Sequence, residues 1–423
     1  MTEDLLHYLW QNKLYRPGQF YTQDQDVLEI IHPGTINTDA GPDFFNAKIK
    51  IGDTLWAGNV ELHLREDDWF HHKHHVDSAY DNVILHVVDK PTGETVTSAG
   101  RKVPVWRLQY ADQLFTRYQS LYFNDQWVAC QDEVTQIDEF SIDRWLDRLL
   151  IEKLEAKSRQ IENWLLMSEN DWDQVFFIML ARSFGFGVNG QPFEMLARQT
   201  PLKILLKHSD HLFQLEALLL GQSGFLSSLK HTDEYTEKLL KEYWFLAHKY
   251  KLSPIENHLW KFLRLRPSNF PTIRLVQMAA LIHQSRGLFD RLHANLELNK
   301  MSALLEVAPS GYWSCHYRPG CSSKANKIKK LGKYSRQLII SNTIIPYLFV
   351  FYSKRNDEKG KEQVLDMLYD LQPEKNKITE NWRKIGLNVD NEGRAQALIF
   401  LKNNYCNHKK CLNCHIGHKV LSR

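Results

Sequence analysis

The chain reads as an α+β protein: an N-terminal α/β module with a mixed sheet, then a mainly α-helical region, then a Cys-rich C-terminal tail. Three observations predict this. Strand-like segments crowd the first 110 residues, apolar residues recur at helical spacing from Ser141 onward, and 423 residues exceed the ~100–200 that one domain usually takes. The expected segments are 1–130 for the α/β module, 131–310 for the helical region and 311–423 for a basic helical C-terminal region.

The first element is a helix over Thr2 to Asn12. Leu5, Leu6, Leu9 and Trp10 form one stripe, Thr2 is placed to cap, and acidic residues open the first turn. Strands follow at "DVLEIIHPG" (Asp26–Gly34), "NAKIKIG" (Asn46–Gly52), "LWAGNVELHLR" (Leu55–Arg65), "NVILHVVD" (Asn82–Asp89) and "VPVWRLQY" (Val103–Tyr110), each rich in β-branched or alternating residues and bounded by turn formers. The spacer Asp67–Tyr80 has room for a helix, so the module runs helix, three strands, helix, strand. Beyond it, Ile142, Trp145, Leu146, Leu149, Leu150 and Leu154 share a helical face, and similar stripes recur downstream. "FGFGVNGQP" (Gly185 to Pro192 and its approach) is expected as a loop between helices; no strand precedes it to make it a nucleotide fingerprint. "LIISNTIIPYLFVFY" (Leu338–Tyr352) is interrupted and short for a bilayer crossing, and reads as buried core.

Composition is that of a folding chain: 43% hydrophobic, 24% charged and 12% aromatic residues exclude the low-hydrophobicity class. The acidic start "MTEDLLHYLW" is unlike a secretory n-region, and six cysteines are too sparse for a disulfide scaffold, so the expected location is the cytoplasm and no membrane partner is expected. The net charge of +3 conceals an asymmetry: from Cys321 onward there are 20 Lys and Arg against 9 Asp and Glu, leaving 33 against 41 for the rest. A basic last quarter is compatible with nucleic acid as partner, and equally with a solvated Lys-rich helical face.

The chemistry concentrates between Gly41 and His86. Glu61 and His63 alternate onto one face of a strand, Asp43 sits at a Pro-fixed turn before the preceding strand, and His86 lies on the last strand of the module. If the strands are neighbours, these side chains converge as metal ligands (Asp43, Glu61, His86) and catalytic groups (Asp43, Glu61, His63). Two carboxylates suit Mg²⁺ or Mn²⁺, which lowers the pKa of a bound water and offsets phosphate charge. The run "HHKHH" (His71–His75) offers a second set: His63, His72 or His74, and His86 with a carboxylate would suit Zn²⁺ or Mn²⁺. Most of that run is also explicable as a solvated helix start.

The element order, with Pro42-Asp43 before the second strand and Glu61-Leu62-His63 on the third, resembles the PD-(D/E)xK nuclease superfamily over about the first 90 residues. The resemblance implies a nuclease-like fold, metal-dependent phosphodiester hydrolysis on DNA or RNA, and Asp43 and Glu61 as metal ligands. His63 stands where the superfamily carries lysine, which puts activity in question. The alternatives are a catalytically inactive nucleic-acid-binding or scaffold protein and a metallohydrolase acting on a small molecule.

Cys406-x4-Cys411-x2-Cys414 forms a compact thiol cluster in the tail. Three thiolates with His408, His415 or His418, or with Cys315 or Cys321, would complete a Zn²⁺ site; an iron–sulfur cluster is the competing occupant. "RPSNFPTIR" (Arg266–Arg274) reads as a helix-connecting turn or a phosphate-contacting loop, and Trp313–Arg336 mixes aromatic and basic residues as nucleic-acid grooves do. Together with "GTINTDAGPDFFNAKI", "WAGNVELHLREDDWFHHKHHVDSAYDNVILHVV" and "YCNHKKCLNCHIG", the chain resembles, nearly end to end, an uncharacterised family of bacterial proteins carried as a domain of unknown function.

Overall fold

Helix α1 (Glu3–Gln11) starts where Thr2 accepts a hydrogen bond from the Leu5 N–H, with Glu3 and Asp4 in its first turn, so an orphan donor is satisfied and the helix dipole is complemented. Its apolar stripe is fully covered: Leu5, Leu6, Leu9 and Trp10 have no exposed surface. Burial of this kind stabilises by about 1.5–3 kcal/mol per large side chain. The Trp10 indole donates to the Pro33 carbonyl at 2.9 Å, and its ring meets Phe44 and Trp106.

The computed structural model describes residues 1–423 apart from positions 228, 230, 286 and 295. Helix outweighs strand, 55% against 12%, and the main sheet is N-terminal, as the α+β reading expects. The chain divides into two compact units: Met1–Trp145 with Lys384–Leu387 and Phe400–Arg423, and Leu146–Arg383 with Asn388–Ile399. These units cut across the segments 1–130, 131–310 and 311–423, because the chain's last stretch folds with its beginning.

In the first unit the sheet runs from a short strand Phe20–Tyr21 through β1 (Val27–His32), β2 (Phe44–Ile51), β3 (Thr54–Arg65) and β4 (Val83–Lys90) to β5 (Val105–Arg107). β1, β2 and β3 pair antiparallel, whereas β3, β4 and β5 pair parallel. The sheet is therefore mixed. β4 is buried from Val83 to Val88, the signature of a central strand covered on both faces. Gly58 is required where β3 passes β4, because a Cβ there would lie 2.5 Å from Ile84 Cγ2 and 2.7 Å from the Asn82 carbonyl.

The expected helix over Asp67–Tyr80 is only partly formed. Helix α2 spans Asp68–His71, and Lys73 adopts a left-handed φ of 63° before two short turns at His74–Val76 and Ser78–Tyr80. Trp69 anchors this segment: it is fully buried and its indole donates to the Val96 carbonyl at 2.9 Å.

The second unit is built of helices. "FGFGVNGQP" is not a loop: only Gly185 separates the helices Trp172–Phe184 and Phe186–Gln199. A Cβ on Gly185 would lie 2.3 Å from the Asn189 carbonyl oxygen, and buried Phe193, Leu196 and Ala197 hold the second helix in place despite its glycines. "RPSNFPTIR" is a turn into the helix Pro271–Gln284, with proline at its start. Arg274 is 5% exposed and bonds Asn269, Gln277 and Ser335; it is an internal strut and not a phosphate contact. The apolar run 338–352 is core, and it accommodates Pro346 through a π-helical turn at Ile340–Ile344 before the helix Ile345–Lys354. Among the described residues no helix is long and apolar enough to cross a membrane.

Candidate metal centre

The site is assembled by register. β3 and β4 align Glu61 with His86 and His63 with Val88, so Glu61, His63 and His86 share one face. Between β2 and β3 the register slips by one residue between Phe44 and Ala47, with Asn46 at a φ of 56°. Such a bulge re-aims the strand end, and here it delivers Asp43 to β3. The Asp43 N–H donates to Glu61 Oε2 at 3.0 Å, and Asp43 Oδ2 accepts from the Leu62 N–H at 2.9 Å. The convergence of Asp43, Glu61 and His63 expected from the sequence is present.

Three further imidazoles complete the site. His7, on α1, lies with Nε2 3.1 Å from Asp43 Oδ2. His72 Nδ1 is 3.1 Å from His63 Nε2. His74 is stacked on Tyr80 at 3.7 Å between ring centroids, and its Nε2 is 3.3 Å from Glu61 Oε1. That nitrogen is buried and has no hydrogen-bond partner. Ligand atoms of His63, His72 and His74 all lie within 4.8 Å of one another, the one such trio among the described residues. The sequence offered His72 or His74 because i and i+2 diverge on a helix; the left-handed Lys73 between them brings both to the site. His71 stays outside, its side chain 68% exposed.

His86, expected as a metal ligand, presents no open ring nitrogen to an ion in this structure. It is fully buried and both ring nitrogens are engaged, Nε2 with His63 Nδ1 and Nδ1 with Thr95 Oγ1, each at 2.9 Å. Thr95 Oγ1 donates to Glu66 Oε1 at 3.3 Å, and the other Glu66 oxygen accepts the Thr92 and Gly93 N–H groups. This chain dictates the tautomers. Since the Thr95 proton points to Glu66, its oxygen accepts from His86 Nδ1–H, so His86 Nε2 must accept from His63 Nδ1–H. His63 Nε2 is left with a lone pair facing His72, as outer partners commonly orient a metal-binding imidazole.

The electrostatics suit a cation. Burial, then the charge of Asp43, pushes the Glu61 carboxyl up to about 9, against the Asp43 N–H and His7. Burial, then His74 and His72, pulls His63 down to about 4; burial likewise lowers His74 and, with His63 and His74, lowers His86. His7 moves the other way: burial works to lower it, but the Asp43 bond and the charges of Asp43, Glu3 and Glu61 together raise it. His63 is thus a neutral donor and does not replace a lysine's charge; the imidazole whose charged form the carboxylates favour is His7. Nothing in the α1 stripe marked it, since its partner lies 36 residues away. Exposed His72 and the partly exposed Asp43 and His7 form the open side of an otherwise buried cluster.

A family model matches residues 3–377 of the chain. The chain belongs to DUF2851. That family is described as a protein of unknown function, and the match includes every residue of this cluster while stopping short of Cys406. No curated protein and no solved structure matches the chain.

Proposed function

We propose that the first unit is a metal-dependent phosphodiester hydrolase acting on nucleic acid. The observation that carries this reading is the buried, unpartnered Nε2 of His74 beside Glu61, within a trio of imidazoles and next to a second carboxylate. Buried polar atoms are rarely left without partners, and a mixed nitrogen and oxygen donor set of this kind suits Mn²⁺ or Zn²⁺ better than Mg²⁺. A divalent ion held there lowers the pKa of bound water and offsets negative charge on a phosphate.

The chain's own residues have separate tasks. Glu61, His63, His72 and His74 hold the ion, with Asp43 at its open side. His86, Thr95 and Glu66 fix the His63 tautomer. His7, bonded to Asp43 at 3.1 Å, stands at the rim where an anionic substrate arrives. The likeness to PD-(D/E)xK nucleases in element order and in the Asp43–Glu61 pair is what favours phosphodiesters over other substrates.

The test is degradation of single- and double-stranded DNA and RNA with Mn²⁺ or Mg²⁺, beside Asp43→Ala and Glu61→Ala. Mn²⁺-dependent cleavage lost in both variants supports the reading. Equal cleavage by all three proteins removes this site from the chemistry. Salt-dependent binding without turnover indicates the non-catalytic nucleic-acid-binding role.

A further inference from the structure

Cys130 and three cysteines of the C-terminal segment meet in the first unit. Cys130, Cys406, Cys411 and Cys414 line one small cavity with Ala129, Tyr405 and Gly417. None of His408, His415, His418, Cys315 and Cys321 lines this cavity, so the fourth member of the tail cluster is a residue that sequence spacing did not suggest. We infer that Cys130, Cys406, Cys411 and Cys414 form a four-thiolate metal centre that fastens the C-terminal segment into the α/β unit.

The surroundings are built for thiolates. Burial pushes the Cys414 thiol up to about 11, while the backbone N–H groups of Gly417 and Ile416 and the Trp145 side chain hydrogen-bond the sulfur and oppose that rise. Cys130 and Cys406 are raised further, by burial and then by the neighbouring cysteine sulfurs. Four sulfurs buried together are poorly accommodated as free thiolates, and a metal that binds them displaces their protons. The backbone is shaped around the cluster: Lys409 takes a left-handed φ of 50°, and a Cβ on Gly417 would lie 2.1 Å from the Cys411 carbonyl oxygen. Only glycine lets the helix His415–Leu421 seat this closely.

Four cysteines around one cavity suit either a tetrahedral zinc ion or an iron–sulfur cluster, and metal analysis distinguishes the two. The cavity is too small for an organic ligand.

The experiment is anaerobic purification of the full chain from an iron-replete host, with iron, acid-labile sulfide and zinc measured per chain and the visible absorption recorded. The expected result is bound metal, as iron with matching sulfide or as zinc, lost at least tenfold in Cys130→Ser and in Cys414→Ser and retained in Cys321→Ser. Zinc at one per chain with the same cysteine dependence also supports the four-thiolate centre and makes the ion mononuclear. Wild-type metal content in Cys130→Ser, or four titratable thiols and no metal in freshly isolated protein, overturns it. Circular dichroism of each variant separates loss of metal from loss of fold, and the readout is independent of phosphodiester turnover.

Discussion

Replacing Asp43 by Asn separates the structural duties of this side chain from its chemical one. The amide oxygen can still accept the Leu62 N–H now bonded at 2.9 Å, and the Asp43 N–H to Glu61 is untouched. What disappears is the negative charge. Its pairing with His7 is partly solvated, with side chains 25% and 24% exposed, so the loss belongs to the exposed-pair scale of about 0–1 kcal/mol. Against this, the Asp43 charge is the second cause, after burial, of the raised Glu61 pKa, and removing it relieves that repulsion. The two effects oppose each other, and the expected net change in stability is within about 1 kcal/mol. Turnover has no such compensation: losing an anionic ligand at the metal should slow Mn²⁺-dependent hydrolysis by at least ~100-fold, or about 2.7 kcal/mol of barrier. Urea denaturation measures the first quantity, and hydrolysis of bis(para-nitrophenyl) phosphate beside single-stranded DNA measures the second. Undiminished turnover, or destabilisation beyond about 3 kcal/mol, would refute the reasoning.

Thr95→Val interrupts the Glu66–Thr95–His86–His63 chain at a fully buried position; Mn²⁺ affinity measured by calorimetry should fall ~10–100-fold, the usual effect of losing an outer partner. In the second unit, Glu216 accepts from the Trp313 indole at 3.0 Å, from the Ser310 N–H and hydroxyl, and from the Tyr235 hydroxyl. Glu216→Ala strands the buried Trp313 N–H and the half-buried Ser310 N–H at ~1–3 kcal/mol for a buried donor, so chemical denaturation should show a loss of about 2–3 kcal/mol. Lys157, beside Lys153 and Arg182 in a cavity of about 470 Å³, is pulled down to about 7 by burial and then by those two charges. A lysine lowered on folding is a cost that is fully present below the folded pKa, where both states are charged, and that shrinks as pH rises towards the unfolded value of ~10.4. Lys157→Met should therefore stabilise at neutral pH, less the lost bond from Lys157 Nζ to the Asn342 carbonyl, with the gain smaller near about pH 9; thermal unfolding at both pH values checks the sign.

Local pattern carried much of this molecule. The α1 stripe of Leu5, Leu6, Leu9 and Trp10 became a buried face, and the alternation on β3 correctly put Glu61 and His63 together. What pattern missed were facts of register and reversal. The bulge at Asn46 delivers Asp43, and a single left-handed residue, Lys73, brings both His72 and His74 of a presumed helix start into the histidine cluster. His7 and Cys130 were illegible for a different reason: each meets partners far away in the chain, and spacing along one element says nothing of such meetings. His86 was legible as a member of the site but not in its role, because only the bonds to Thr95 and His63 show both nitrogens already used. The Gly-rich joint near Gly185 was misread because packing of Phe193, Leu196 and Ala197 overrides weak helix propensity.

The most direct test of the central claim is calorimetric titration of Mn²⁺ into metal-stripped full-length protein and into Glu61→Gln and His74→Ala, with the cysteines intact. One ion per chain in the wild type, with affinity falling at least ~100-fold in both variants, is the result this site requires. Equal Mn²⁺ binding by all three proteins would contradict it.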